Sequence, residues 1–318
     1  MPQGAPVSSA LAGRLDGLLF FPVTAYGPDG SIDLDAFRAH VRSGVDSGAA
    51  AVFACCGTGE FHALTQDEFG SLVAAAVEEA AGRVPVVAGA GYGTALAVQY
   101  ARTAEAAGAD GLLAMPPYLV VADQAGLLRH YTELAAATSL DTIVYQRDNA
   151  VFTPETVVAL AQVERIIGLK DGHGDLDLMQ RIVSAVRTEL PGSEFLYFNG
   201  LPTAELTGLA YRSLGITLYS SAVFCFAPDI ALAFHKALNS YDDETVNRLL
   251  DGFYRPLVEL RNQGRGYAVS LVKAAVRLGG LDVGEVRPPL SEPTAEHIAQ
   301  LTAIIARGRA VLGSGASA

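Results

Sequence analysis

The feature that most constrains this chain is a repeat. Eight times, a short run that is apolar throughout, rather than on alternate positions, ends in small or polar residues and gives way to a helical pattern. The runs lie at 17–24 (GLLFFPVT), 49–55 (AAAVFAC), 84–88 (VPVVA), 111–115 (GLLAM), 142–145 (TIVY), 166–169 (IIGL), 195–198 (FLYF) and 216–219 (ITLY). Continuous apolarity marks strands buried on both faces, as in parallel sheets. Between them lie helix signals: an apolar stripe of Ile32, Leu34, Phe37 and Val41, a capping box at Thr65 to Glu68, a cap at Thr94, and a cap with a first-turn proline at Thr153-Pro154. Eight strand-then-helix units without a clear switch point favour a closed (β/α)8 TIM barrel over a doubly wound open sheet. Beyond Pro228 the strand signals stop, and 229–312 read as helices broken near 264–266 and 287–289. The expected organisation is an amino-terminal extension (1–16), the barrel (17–240) and a helical extension (241–318) packed on it.

Half of the residues are hydrophobic and 18% are charged, ample for a buried core. The net charge of −12 argues against nucleic acid or an anionic membrane as partner, though not against an anionic substrate. Three cysteines, two of them adjacent (Cys55, Cys56), give neither a disulfide framework nor zinc-ligand spacing. The first twelve residues lack a basic stretch leading into an apolar one, no run reaches membrane-spanning length, and a cytoplasmic setting is expected.

In a barrel the site lies at the carboxyl ends of the strands. The residues expected there are Thr24, Thr58, Glu60, Tyr118, Tyr145, Arg147, Lys170, Asp171, Asn199, Ser220 and Ser221. This set offers one amine, two tyrosines and one guanidinium, and no cluster suited to a metal. His173 in its Gly-rich loop is a poor ligand, so neither metal nor cofactor is expected. A lysine closing a buried run either snorkels to solvent or, where burial lowers an amine's pKa, serves as a neutral nucleophile. Gly57-Thr58-Gly59 is either a nest of backbone amides for a carboxylate or a tight turn. Gly89-Ala90-Gly91-Tyr92-Gly93 has the wrong spacing for a dinucleotide fingerprint. Cys55 and Cys56 read as inert packed thiols, and Lys273 as a structural or interface lysine. Arg147 is the nearest guanidinium to the barrel mouth, either surface-paired or holding a substrate carboxylate. Asn199, Gly200 and Ser221 are placed to bind hydroxyls or a distal carboxylate.

Three segments carry a resemblance: 53–68 (FACCGTGEFHALTQDE), Tyr145-Gln146-Arg147, and Gly168-Leu169-Lys170-Asp171. Together they resemble the dihydrodipicolinate synthase/N-acetylneuraminate lyase superfamily of Schiff-base barrels, along nearly the whole chain. Within it, GLPTAE (200–205), YSSAVFCF (219–226) and GYAVSLVKA (266–274), with stretches at 17–24, 57–61 and 114–120, resemble the 5-dehydro-4-deoxyglucarate dehydratases. Two departures point away from the synthases: Gly57-Thr58 replaces their paired threonines, and Tyr118 is followed by Leu119 rather than a second tyrosine.

The resemblance implies that Lys170 forms an imine with a ketone whose neighbouring carboxylate rests on Gly57-Thr58-Gly59, and that Tyr145 is the general acid/base. It implies dehydration and decarboxylation of a sugar diacid to 2,5-dioxopentanoate without a cofactor, by a homotetramer or homodimer. A retro-aldol lyase giving pyruvate on the same scaffold is the alternative, and a silent sugar-acid-binding barrel a third reading.

Overall fold

The computed structural model describes residues 9–314; the outermost parts of both expected extensions, 1–8 and 315–318, lie outside the described residues. The strands are β1 Leu19–Phe20, β2 Ala51–Ala54, β3 Val86–Ala90, β4 Gly111–Ala114, β5 Asp141–Gln146, β6 Ile166–Asp171, β7 Leu196–Asn199 and β8 Leu218–Ser221. They pair in sequence order into a closed barrel, every neighbour parallel. Helices α1 Leu34–Asp46, α2 Gln66–Ala80, α3 Thr94–Ala106, α4 Gln124–Ala135, α5 Pro154–Leu160, α6 Leu176–Glu189, α7 Gly208–Ser213 and α8 Pro228–Asn239 alternate with them. The fold is the (β/α)8 barrel expected from the repeat.

Both faces of the strands are apolar because each faces a core. Leu19, Phe53, Val87, Leu113, Ile143 and Phe198 fill the lumen, whereas Phe20, Val52, Leu112, Val144 and Leu169 meet the helices. Leu11 and Leu15 add to the lumen cluster from the amino-terminal side. The first strand is much shorter than its apolar run: Pro22 offers no N–H to a ladder, and Gly17 has φ +121°.

Local signals set the helix starts. Thr65 and Glu68 form both halves of the capping box, and Thr153 caps α5 with Pro154 in its first turn. The expected cap at Thr94 is corrected: Gly93 is the N-cap residue, and the Thr94 hydroxyl bonds His130 Nδ1 at 2.8 Å instead. After α8 the chain adds α9 Asp243–Leu249, a π turn at Leu250–Tyr254, α10 Arg255–Arg261, α11 Tyr267–Leu278 and α12 Ala295–Ser314. Among the described residues, no helix is long and apolar enough to cross a membrane.

Candidate active site

Lys170 reaches the lumen through a register shift. Thr142 pairs with Ile166, but the next residue, Ile143, pairs with Gly168, leaving Ile167 as a bulge. A one-residue slip exchanges the faces of a strand. Without it Lys170 would lie opposite Gln146, whose amide points outward to Asp171 at 3.0 Å. With it Lys170 is flanked in register by Tyr145 on β5 and Phe198 on β7. Gly168 is required at the bulge, since a Cβ there would lie 2.8 Å from the Leu196 carbonyl and 3.0 Å from the Phe198 ring.

The amine is buried between aromatic faces, with Nζ 4.3 Å from the Tyr145 ring centre and 4.5 Å from that of Phe21. Lys170 is 7% exposed. No carboxylate pairs with it among the described residues, whose ion pairs are mostly exposed ones at the surface. The Tyr145 hydroxyl donates to the Gly200 carbonyl at 3.0 Å and accepts from Arg147 Nη1 at 3.4 Å. Two glycines make this packing fit. A Cβ on Gly172 would lie 2.7 Å from the Tyr145 hydroxyl, and one on Gly200 would lie 2.7 Å from Lys170 Cγ. Arg147 also pairs with Asp148 at 3.2 Å, and is half-buried.

The loop after β2 presents the second element. The amides of Gly57, Thr58 and Gly59 donate to no partner among the described residues, while the loop is closed from behind by Glu60 N to Gly57 O and Phe61 N to Cys56 O, both 3.2 Å. Thr24 donates to the Gly59 carbonyl at 2.7 Å. Cys55 and Glu60 flank the loop at φ +52° and +54°, left-handed conformations that cost side-chain-bearing residues on the order of 1 kcal/mol or more. Such geometry persists only where surrounding contacts hold it, and free amides in a row suit an anion.

Asn199 and Ser221 lie near the site but direct their side chains away from the lumen. Asn199 Nδ2 donates to Ala204 O at 2.9 Å and Thr207 Oγ1 at 2.8 Å, and its Oδ1 accepts from Leu201 N at 3.2 Å. The Ser221 hydroxyl donates to Glu205 Oε1 at 2.6 Å and accepts from Phe224 N at 3.2 Å. Alternation explains both: Phe198 and Ser220 occupy the inward positions, so the residues after them face the helices. Gly200, by contrast, enters the site with its backbone, its carbonyl accepting from Tyr145 and its α-carbon packed against the Lys170 side chain. Asp171 likewise faces outward, accepting from Gln146, from Tyr211 and from His173 N, and so shapes the turn after β6.

Glu205 was not among the residues singled out from the sequence. It is fully buried, burial pushes its carboxyl up to about 7, and its Oε2 has no hydrogen-bond partner among the described residues. Its only advance signal was its place in the GLPTAE stretch. Burial pushes the Cys56 thiol up to about 12 despite nearby Lys170, and raises the Cys55 thiol well above its ordinary value, so both remain thiols. His173 is exposed, and Tyr118 is 64% exposed at the start of an outward loop. Among the described residues, no group of three or more His, Cys, Asp or Glu could hold a metal ion.

Comparison with known proteins bears on this arrangement. The chain is 77% identical over 311 residues to a probable 5-dehydro-4-deoxyglucarate dehydratase of Streptomyces avermitilis, covering 97% of this chain and 99% of that one. It is also 77% identical over 314 residues to the corresponding probable dehydratase of Streptomyces griseus, covering 98% of each. A crystal structure of dihydrodipicolinate synthase from Bacillus clausii superposes with a TM-score of 0.85 at 27% identity, over 93% of this chain and 98% of that one. The model of the dihydrodipicolinate synthetase family matches residues 14–307, and on these grounds the chain belongs to that family.

Proposed function

We propose that the protein is a hydro-lyase that dehydrates and decarboxylates 5-dehydro-4-deoxy-D-glucarate to 2,5-dioxopentanoate, water and CO2 through an imine on Lys170. The observation that carries the chemistry is the buried Lys170 amine, without a carboxylate partner among the described residues and in register with Tyr145. The choice of substrate is supported by the 77% identity to probable dehydratases of that name.

In this reading the carboxylate beside the substrate ketone accepts hydrogen bonds from Gly57, Thr58 and Gly59, which presents the ketone carbon to Lys170. Attack and loss of water give a protonated imine, an electron sink for the adjacent methylene. Tyr145 moves the proton from that carbon, with its hydroxyl oriented by Gly200 O and Arg147. The enamine then expels the β-hydroxyl as water, leaving an iminium conjugated with a new double bond. Electrons from the bond to the distal carboxylate flow into this system as CO2 leaves. Protonation and imine hydrolysis release the product and restore the amine. The substrate dianion thus takes up one proton and yields one product monoanion, one water and one CO2.

Arg147 is the proposed cationic partner for the distal end of the diacid. Gly200 contributes its backbone, while Asn199 and Ser221 act through the loops they hold. The enzyme is proposed to work as a homotetramer or homodimer in the cytoplasm, acting on the sugar diacid without metal or organic cofactor.

Product analysis tests the proposal. Incubation with 5-dehydro-4-deoxyglucarate is expected to give 2,5-dioxopentanoate and CO2 in equal amounts. Pyruvate without CO2 would assign a retro-aldol lyase instead.

A further inference from the structure

Lys273 lies in α11, within the GYAVSLVKA stretch, and the mechanism above does not use it. It is fully buried, as is Glu60, and the two form an ion pair at 3.1 Å across 213 positions of sequence. Glu60 is the residue that ends the amide nest in a left-handed conformation. Its other oxygen accepts from Arg287 N at 2.9 Å, so both oxygens are tied to the carboxy-terminal part of the chain. Lys273 Nζ also donates to the Glu285 carbonyl at 2.7 Å. The Tyr26 ring lies 4.2 Å from Lys273 Nζ and 4.2 Å from the Arg287 guanidinium. Arg287 in turn binds both oxygens of Glu68 in the first turn of α2, at 2.6 and 2.9 Å, and the carbonyls of Ala63 and Gly30.

Such a pair is a poor device for stability alone, because the desolvation of two charges offsets most of their attraction. In some proteins a buried pair instead fixes a single arrangement of the groups it joins. Here it joins the last residue of the nest to a helix beyond the barrel. The nest loop has few other constraints on that side: Thr24 holds the Gly59 carbonyl, and two backbone bonds close the loop behind it.

We infer that the Glu60–Lys273 pair is a positioning device for the reaction, fixing the direction of the Gly57–Gly59 amides and so tying recognition of the substrate carboxylate to helix α11. Neither residue touches substrate; both act through the nest. The inference rests on the imine reading of Lys170.

The test compares how fast borohydride traps Lys170 with pyruvate and with acetone, ketones that differ by the carboxylate. Glu60→Gln/Lys273→Met removes both charges and leaves no unpaired ion. Its pyruvate trapping rate is expected to fall about tenfold, the loss of one charge-assisted hydrogen bond, with the acetone rate unchanged. A pyruvate-to-acetone ratio equal to that of the wild type, or an equal fall in both rates, overturns the inference. If the double variant fails to fold by thermal melting, Glu60→Gln/Lys273→Gln, which also leaves no buried ion and keeps a polar group at both positions, is read by the same ratio. A wild-type protein that neither these ketones nor 5-dehydro-4-deoxyglucarate labels overturns the imine reading, and the pair's role with it. A labelled wild type whose ratio survives in the variant overturns the pair's role alone.

Discussion

Tyr145 and Lys170 are direct register partners on adjacent parallel strands, with the lysine amine 4.3 Å from the centre of the tyrosine ring. The phenol is turned past the amine to the Gly200 carbonyl. The proposed nucleophile and proposed proton carrier therefore occupy one end of the barrel, on the two strands that share the most extensive ladder with a bulge in it. This relationship separates the roles of the two side chains and makes them testable one at a time.

Tyr145→Phe keeps the ring beside Lys170 and removes only the hydroxyl. Turnover of 5-dehydro-4-deoxyglucarate is expected to fall by about 10²- to 10⁴-fold, the usual contribution of a general acid/base. Imine trapping with borohydride is expected to persist. Steady-state kinetics beside mass analysis of the trapped protein checks both; a variant with wild-type turnover would remove Tyr145 from the chemistry.

Gly172→Ala and Gly200→Ala act on different partners. The first places a methyl group 2.7 Å from the Tyr145 hydroxyl, the second 2.7 Å from Lys170 Cγ. Each overpacks by roughly 1–3 kcal/mol, measurable by denaturant unfolding. Gly172→Ala is expected to lower kcat while leaving Lys170 trappable, and Gly200→Ala to suppress trapping itself. The opposite assignment would contradict the geometry.

Arg147→Ala removes the cation beside Tyr145. If the guanidinium holds the distal carboxylate, KM for the diacid rises about tenfold or more, the worth of one hydrogen bond to a charged group. Trapping with pyruvate, which lacks that carboxylate, is expected to be unaffected. A KM equal to that of the wild type would leave Arg147 a surface partner of Asp148.

Glu205 predicts a dependence of stability on pH. Burial raises its carboxyl from 4.5 to about 7 in the folded chain. Between these values the folded state binds the proton and the unfolded state has lost it, so stability falls as pH rises through this window. The loss is about 3 kcal/mol by pH 8, from roughly 1.4 kcal/mol per unit. Glu205→Gln cannot ionise. Unfolding titrations should find it more stable than the wild type at pH 8, with the difference gone near pH 4. A difference that does not change with pH would contradict this account.

Much of this was legible in the sequence because parallel strands must be apolar on both faces and must end at the catalytic rim. That rule put Lys170, Tyr145 and Thr58 among the strand-end residues, and the family resemblance then distinguished them, with the Gly57-Thr58-Gly59 loop, from the others. Which way a residue points was less legible. The bulge at Ile167 leaves no local signature, yet it decides that Lys170 and not Asp171 enters the lumen. One position separates Ser220 from Ser221 and Phe198 from Asn199, and the sequence does not show where each strand begins its alternation. Pairings between distant segments were hidden for a similar reason. Lys273 was readable as structural, but its burial against Glu60 depends on how α11 returns to the barrel. Glu205 carries no pattern of its own, since a buried carboxyl in a short 3-10 turn looks like any exposed one.

The central claim is that Lys170 forms an imine with the substrate. Borohydride reduction during turnover of 5-dehydro-4-deoxyglucarate, followed by mass analysis of peptides, tests it most directly. The account predicts a covalent adduct on the peptide carrying Lys170, and none in Lys170→Met. An unmodified Lys170 peptide in a protein that is turning over substrate would contradict it.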